Sequence, residues 1–159
     1  MQITPLSGTS SDALSALLDD AFGADRHART AYLLRKGMKP VNHLSFGIVD
    51  GGQLVASIQC WPVRVGKAEL FLVGPVAVAT NRQNSGLGKR LMQLMLDAVK
   101  PQDPPMVMIG DPEYYARFGF VSEGTAGWTL PGPWDPKRLL LRNTKLVELP
   151  ARGVLGPAD

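Results

Sequence analysis

Between Glu69 and Val99 an almost continuous apolar run gives way to a short polar loop and then to an amphipathic helix, an order that few folds accommodate. Glu69 to Val78 carries so few polar residues that it reads as a central strand covered on both faces. Asn81-Arg82-Gln83-Asn84-Ser85-Gly86 is polar and ends in glycine. Leu87, Leu91, Met95 and Val99 then recur at helical spacing, with Lys89, Arg90, Gln93, Asp97 and Lys100 mainly on the outer side. Pro101 to Pro105 ends that helix, and Met106-Val107-Met108-Ile109 reads as a short buried strand. A strand–helix–strand crossover predicts that this strand runs parallel to the one ending at Val78.

Upstream, Met1 to Thr4 reads as a first strand, and Ser10-Ser11-Asp12 as the cap of a helix carrying Leu14, Leu17, Leu18, Ala21 and Phe22, stopped by Gly23. A second helix is expected from about Arg26 to Lys36, with Arg26, Arg29, Arg35 and Lys36 on a solvated face. Leu44 to Val49 reads as a strand. Asp50-Gly51-Gly52 makes a hairpin to a partner running from Gln53 to Val65, and Gly66-Lys67 turns the chain again. The result is an antiparallel meander preceded by helices. Past the crossover, Asp111-Pro112 opens a short helix and Gly119-Phe120-Val121 begins a strand. The segment from Trp128 onward is expected to add one more strand and loops. Trp128 and Trp134 fit either a place over the sheet edge or one in a pocket wall.

At 159 residues the length suits a single domain over 1–159, and no repeat or linker divides it. A hydrophobic fraction of 45% suffices for a core without disulfides or metals, and Cys60 reads as an inert core thiol. No His/Cys cluster has metal-ligand spacing. Net charge is +3 with no basic run, which does not argue for nucleic acid but is compatible with a polyanionic small ligand. Neither a signal peptide nor a membrane-spanning run is read, so a cytoplasmic protein is expected.

The loop carries the chemistry. Gln83-x-x-Gly86-x-Gly88 opens the helix, and small residues there let a ligand approach backbone amides that have no intrahelical partner. With the positive end of the helix dipole these form an anion site, to which Lys89 and Arg90 add charge. The bland alternatives are a plain strand-to-helix turn and a solvated helix face. A Walker-type loop fails because Arg90 stands where a hydroxyl is required, and a dinucleotide fingerprint fails because Leu91 stands at the third glycine.

Val73-Gly74-Pro75-Val76-Ala77-Val78 with Gln83-Asn84-Ser85-Gly86-Leu87-Gly88 resembles motif A of the GCN5-related N-acetyltransferases (GNAT), and Gly110-Asp111-Pro112-Glu113-Tyr114-Tyr115-Ala116-Arg117-Phe118-Gly119-Phe120 resembles motif B, in wording similar to the YhbS-like branch. The resemblance implies the GNAT acyl-CoA N-acyltransferase fold, of α/β (α+β) class. That fold is a mixed, mostly antiparallel sheet with a splayed parallel strand pair and helices on both faces. It implies acetyl-CoA as cosubstrate, held by Val76, Ala77 and Val78 along the pantetheine and by Gln83, Asn84, Ser85, Gly86, Leu87, Gly88, Lys89 and Arg90 at the phosphates. An amide near Val76 would polarise the thioester carbonyl.

Tyr115 matches the family tyrosine that protonates the departing thiolate, its alternative being a core tyrosine; Tyr114 reads as structural. Many members carry a glutamate base on the central strand, but Leu70-Phe71-Leu72 is apolar here, leaving Glu69 and His43 as weak candidates. The expected activity is acetyl transfer to a primary amine, on a small molecule or peptide, inside a ternary complex. A non-catalytic acyl-CoA sensor on the same scaffold is the alternative. A homodimer is compatible with either reading, and no membrane or nucleic-acid partner is expected.

Overall fold

Ser10 fixes the first helix. In the computed structural model, which describes residues 1–159, strand β1 (Gln2–Pro5) leads into α1 (Ser11–Phe22), and Ser10 Oγ accepts from Ala13 N at 3.0 Å. Gly23, at φ 91°, ends the helix. The second helix, α2 (Thr30–Leu34), is shorter than its expected span, because Arg26–Ala28 forms a separate 3-10 turn and Arg29 is extended between the two. Arg26 is buried at 5% exposure, donating from Nε to Asp19 at 2.9 Å and from Nη2 to Ser15 at 3.0 Å. Arg29 precedes α2 in an extended conformation, and its side chain does not cap the helix. The Arg35 guanidinium stacks 3.9 Å from the Tyr32 ring centroid and 4.2 Å from that of Trp61. The expected solvated basic face is therefore not found at Arg26 or Arg35.

The remaining elements are β2 (Phe46–Asp50), β3 (Gln53–Val65), β4 (Ala68–Val78), α3 (Leu87–Asp97), β5 (Met106–Ile109), α4 (Pro112–Tyr115), β6 (Trp128–Thr129), β7 (Leu139–Arg142) and β8 (Gly153–Pro157). The main strand order is β1-β2-β3-β4-β5-β7, with β8 pairing to both β3 and β6. β1, β2 and β3 are successively antiparallel, as are β5 with β7 and β3 with β8. β4 and β5 are parallel through Phe71↔Met106 and Leu72↔Val107, as the crossover requires. Two expectations are corrected. Gly119 to Val121 forms no strand, because Gly119 turns at φ 85° and leaves only an isolated bridge from Val121 to Leu141. The C-terminal segment adds three short strands, β6, β7 and β8, where one was expected.

The chain divides into two compact units, and both long strands run through the division. The first unit comprises Met1–His27, Pro40–Cys60 and Pro75–Pro101. In it, Leu17 and Leu18 of α1 bury against Ala77, with Leu14, Leu54 and Ala79 packed around them. The second comprises Ala28–Lys39, Trp61–Gly74 and Gln102–Asp159. Its core joins Leu34, Trp61, Val63, Val65, Leu70 and Leu72 to Val107, Trp128, Leu139, Leu141 and Leu155. Trp128 thus belongs to a hydrophobic core, where its Nε1 donates to Pro150 O at 2.8 Å; Trp134 packs partly buried against the same cluster. No helix is long and apolar enough to cross a membrane.

Candidate functional site

In the first unit, β4 delivers the loop to the start of α3. Val76 and Val78 are half-buried and Ala77 is fully buried. Gly86 sits at φ 80°, a left-handed conformation that costs glycine little, and a Cβ placed there would meet nothing within 4 Å. Arg90 N donates to Gly86 O at 3.1 Å, the first hydrogen bond of the helix, so the amides of Leu87, Gly88 and Lys89 precede it. At Gly88 an added Cβ would lie 3.8 Å from Val78 Cγ2 and 4.0 Å from Val76 Cγ1, in ordinary contact. Gln83, Asn84, Ser85, Lys89 and Arg90 are exposed, and Leu87 is buried beneath them. The result is an exposed turn of small residues with helix-starting amides, a cradle that a phosphate group fits.

Side chains that the motif does not contain tie this loop down. Ala79 N donates to Val55 O at 2.8 Å. Thr80 donates to the Asp20 carboxylate twice, from its amide at 2.9 Å and from its hydroxyl at 3.0 Å. Arg82 Nη1 donates to Asp50 Oδ2 at 2.6 Å, and that guanidinium holds the half-buried Asp50 carboxyl below its usual value. Gln83 donates from Nε2 to Val78 O at 2.8 Å, closing the loop onto the last residue of β4, and Ser85 Oγ donates to Arg82 O. Asp20 and Asp50 lie 60 and 32 residues before their partners. No local sequence signal could have found them.

In the second unit, Asp111 caps α4 by accepting from Glu113 N at 3.0 Å, and Pro112 fills the first helical position. Tyr115 ends this one-turn helix, and its carbonyl accepts from Phe120 N at 3.3 Å. Its ring meets Tyr114 edge-on at 4.8 Å between centroids. A Cβ on Gly110 would stand 2.5 Å from Tyr115 Cε2, so the ring occupies space that only glycine leaves. Burial, followed by the influence of Tyr114 and Asp111, raises the phenol above its ordinary value of 10.0. Tyr115 therefore stays protonated at neutral pH.

The two candidate bases lie on other segments of the chain. Glu69 is exposed at the second residue of β4, beside the Gly66-Lys67 turn, whereas the loop follows that strand's last residue. His43 does not reach in from a strand: it lies in the 3-10 turn Asn42–Leu44 ahead of β2. Cys60 is fully buried and forms no disulfide.

Comparison with known proteins identifies the family and the fold. A family model described as an acetyltransferase (GNAT) domain matches residues 2–122. The N-acetyltransferase YhbS of Escherichia coli K12, itself uncharacterized, is 30% identical over 149 residues, covering 90% of this chain and 86% of that protein. Its crystal structure in complex with CoA superposes with a TM-score of 0.78 at 22% identity, over 98% of this chain and 88% of that one. A GNAT family acetyltransferase from Brucella melitensis in complex with acetyl-CoA gives 0.66 at 20% identity, over 98% and 94%.

Proposed function

Because this chain belongs to the GNAT acetyltransferase family, we propose that it binds acetyl-CoA through the loop from Gln83 to Arg90 and moves the acetyl group to a primary amine. The observation that carries this reading is the turn at Gly86, where the amides of Leu87, Gly88 and Lys89 precede the first helical hydrogen bond. Three donors at a helix N-terminus suit a diphosphate, whose charge the helix dipole also favours. The crystallised relatives hold CoA and acetyl-CoA.

In this mechanism the amine nitrogen attacks the thioester carbonyl carbon and the carbonyl oxygen becomes an oxyanion. The main chain near Val76 stabilises that charge. The C–S bond then breaks and the electron pair leaves on sulfur. Tyr115, kept protonated by burial, gives its Oη proton to the thiolate. The ammonium proton passes to solvent, and the tyrosinate is reprotonated from it.

A non-catalytic acyl-CoA sensor is the second reading. It is favoured by the apolar stretch Leu70–Val73 of β4, which offers no carboxylate, and by the exposure of Glu69. Calorimetry with CoA, combined with thiol release from acetyl-CoA against a panel of primary amines, separates the two. Turnover with at least one amine supports the transferase. Binding without turnover on any amine supports the sensor, and no binding defeats both.

A further inference from the structure

We propose that Ser57 and Gln59 receive the N–H groups of the acceptor amine. The proposal rests on the amine-transfer reading above and adds residues that neither sequence motif contains. The two residues stand two apart on β3, so strand alternation puts them on one face. Ser57 is fully buried and Gln59 is 5% exposed. No protein group hydrogen-bonds Ser57 Oγ or Gln59 Oε1. Their intervening and flanking neighbours on the other face, Ala56, Ile58 and Cys60, are apolar and completely buried.

A buried polar atom left unpaired costs about 1–3 kcal/mol, and folded interiors rarely keep one. Two such oxygens at adjacent positions of one strand face mark a place that a hydrogen-bond donor completes. The backbone beneath them is held from the side: Val41 N donates to Cys60 O at 2.7 Å, and Cys60 N donates to Ser45 Oγ at 3.3 Å. The acceptors are therefore carried on a fixed strand.

The chemistry of the pair selects the ligand. Both oxygens accept and both side chains are uncharged, so they suit a neutral primary amine, which offers two N–H donors and keeps its lone pair for attack. A carboxylate in the same place would hold the ammonium form. An alkyl amine of pKa about 10.4 is protonated in water all but ~1 part in 10³ at neutral pH. Burial against neutral acceptors disfavours that charge and brings the amine toward its reactive form. This accounts for a β4 without a buried base: part of the deprotonation is supplied by desolvation rather than by a carboxylate.

The test uses the full chain, acetyl-CoA and ethylamine, the minimal primary alkyl amine, alongside the amine panel. Variants Gln59→Leu and Ser57→Ala are compared by thiol-release kinetics, CoA calorimetry and thermal melting. Gln59→Leu is expected to raise the amine KM roughly tenfold, and Ser57→Ala several-fold, with CoA affinity unchanged. Melting temperatures should hold or rise, because an unpaired polar atom leaves the interior. An unchanged amine KM in both variants overturns the proposal while leaving the transferase reading intact. So does a lowered melting temperature with transfer unaffected, which would make the two oxygens purely structural. A wild-type protein that binds CoA but acetylates no amine overturns the transferase reading and this proposal with it.

Discussion

Tyr115 and Gly110 act as a pair at the residue scale. The ring fills the volume where a Gly110 side chain would be, and the buried phenol resists ionisation. Gly110→Ala should therefore displace the ring and lower kcat while leaving CoA affinity unchanged, read by thiol release and calorimetry. Tyr115→Phe should cost on the order of 10²-fold in kcat if the phenol is the proton donor. The raised phenol value also sets a sign. The folded protein holds this proton more tightly than the unfolded chain does, so the stability linked to Tyr115 is fully present below pH 10 and declines as pH rises beyond it. Melting between pH 9 and 11 should fall more steeply in the wild type than in Tyr115→Phe. The two loop glycines separate in the same way. Gly88 lies in the helix with ordinary room for a Cβ, so Gly88→Ala should raise stability by up to about 1 kcal/mol and keep CoA binding. Gly86→Ala, forced to φ 80°, should lower stability by about 1 kcal/mol. Denaturant melts of the two variants check both signs.

For the elements, the candidate site is legible where its signal is local and hidden where it is not. The order from apolar strand through small-residue loop to amphipathic helix could be read directly, because hydrophobic period and turn chemistry depend on neighbours in sequence. The clamps on the loop could not be read, since nothing near Asp20 or Asp50 marks them as partners of Thr80 and Arg82. The second helix is shorter than its periodicity predicts, and its arginines mislead in the same way: Arg26 and Arg35 look solvated in a sequence, yet one is buried against Asp19 and the other stacked on two rings. The clamps yield a prediction. Asp20→Ala removes both bonds from Thr80 and should weaken CoA binding several-fold by loosening the loop's entry, with little change in melting temperature, as calorimetry and a thermal scan would show. The Arg82–Asp50 pair is half-buried on both sides, and water still screens it enough that it adds little to stability. Its contribution is present above the ordinary carboxylate value of 3.8 and is lost as pH falls through the lowered folded one, so CoA binding measured at pH 5 and pH 7 should show no loss from this pair.

Across the whole chain, the meander and the crossover followed from periodicity, whereas the C-terminal strands did not, because each is too short to show a pattern and is fixed by distant partners. Strand β7 pairs with β5 at four consecutive positions, and β8 joins β3 at Val63, Arg64 and Val65. Leu139, Leu141, Leu155 and Trp128 enter the same core as Trp61, Val63 and Leu72. The family match ends at residue 122, before Trp128, Leu139, Leu141 and Leu155. A fragment covering residues 1–122 keeps both motifs, but it leaves β5 without its antiparallel neighbour and exposes the inner faces of Trp61, Val63 and Leu72. It should therefore lack a cooperative melt and bind no CoA, whereas Leu155→Ala in the full chain should remain folded and lose about 2–5 kcal/mol. Circular dichroism melts and calorimetry on the two proteins decide it. A fragment that melts cooperatively and binds CoA would show that the C-terminal strands cover a core already able to stand without them.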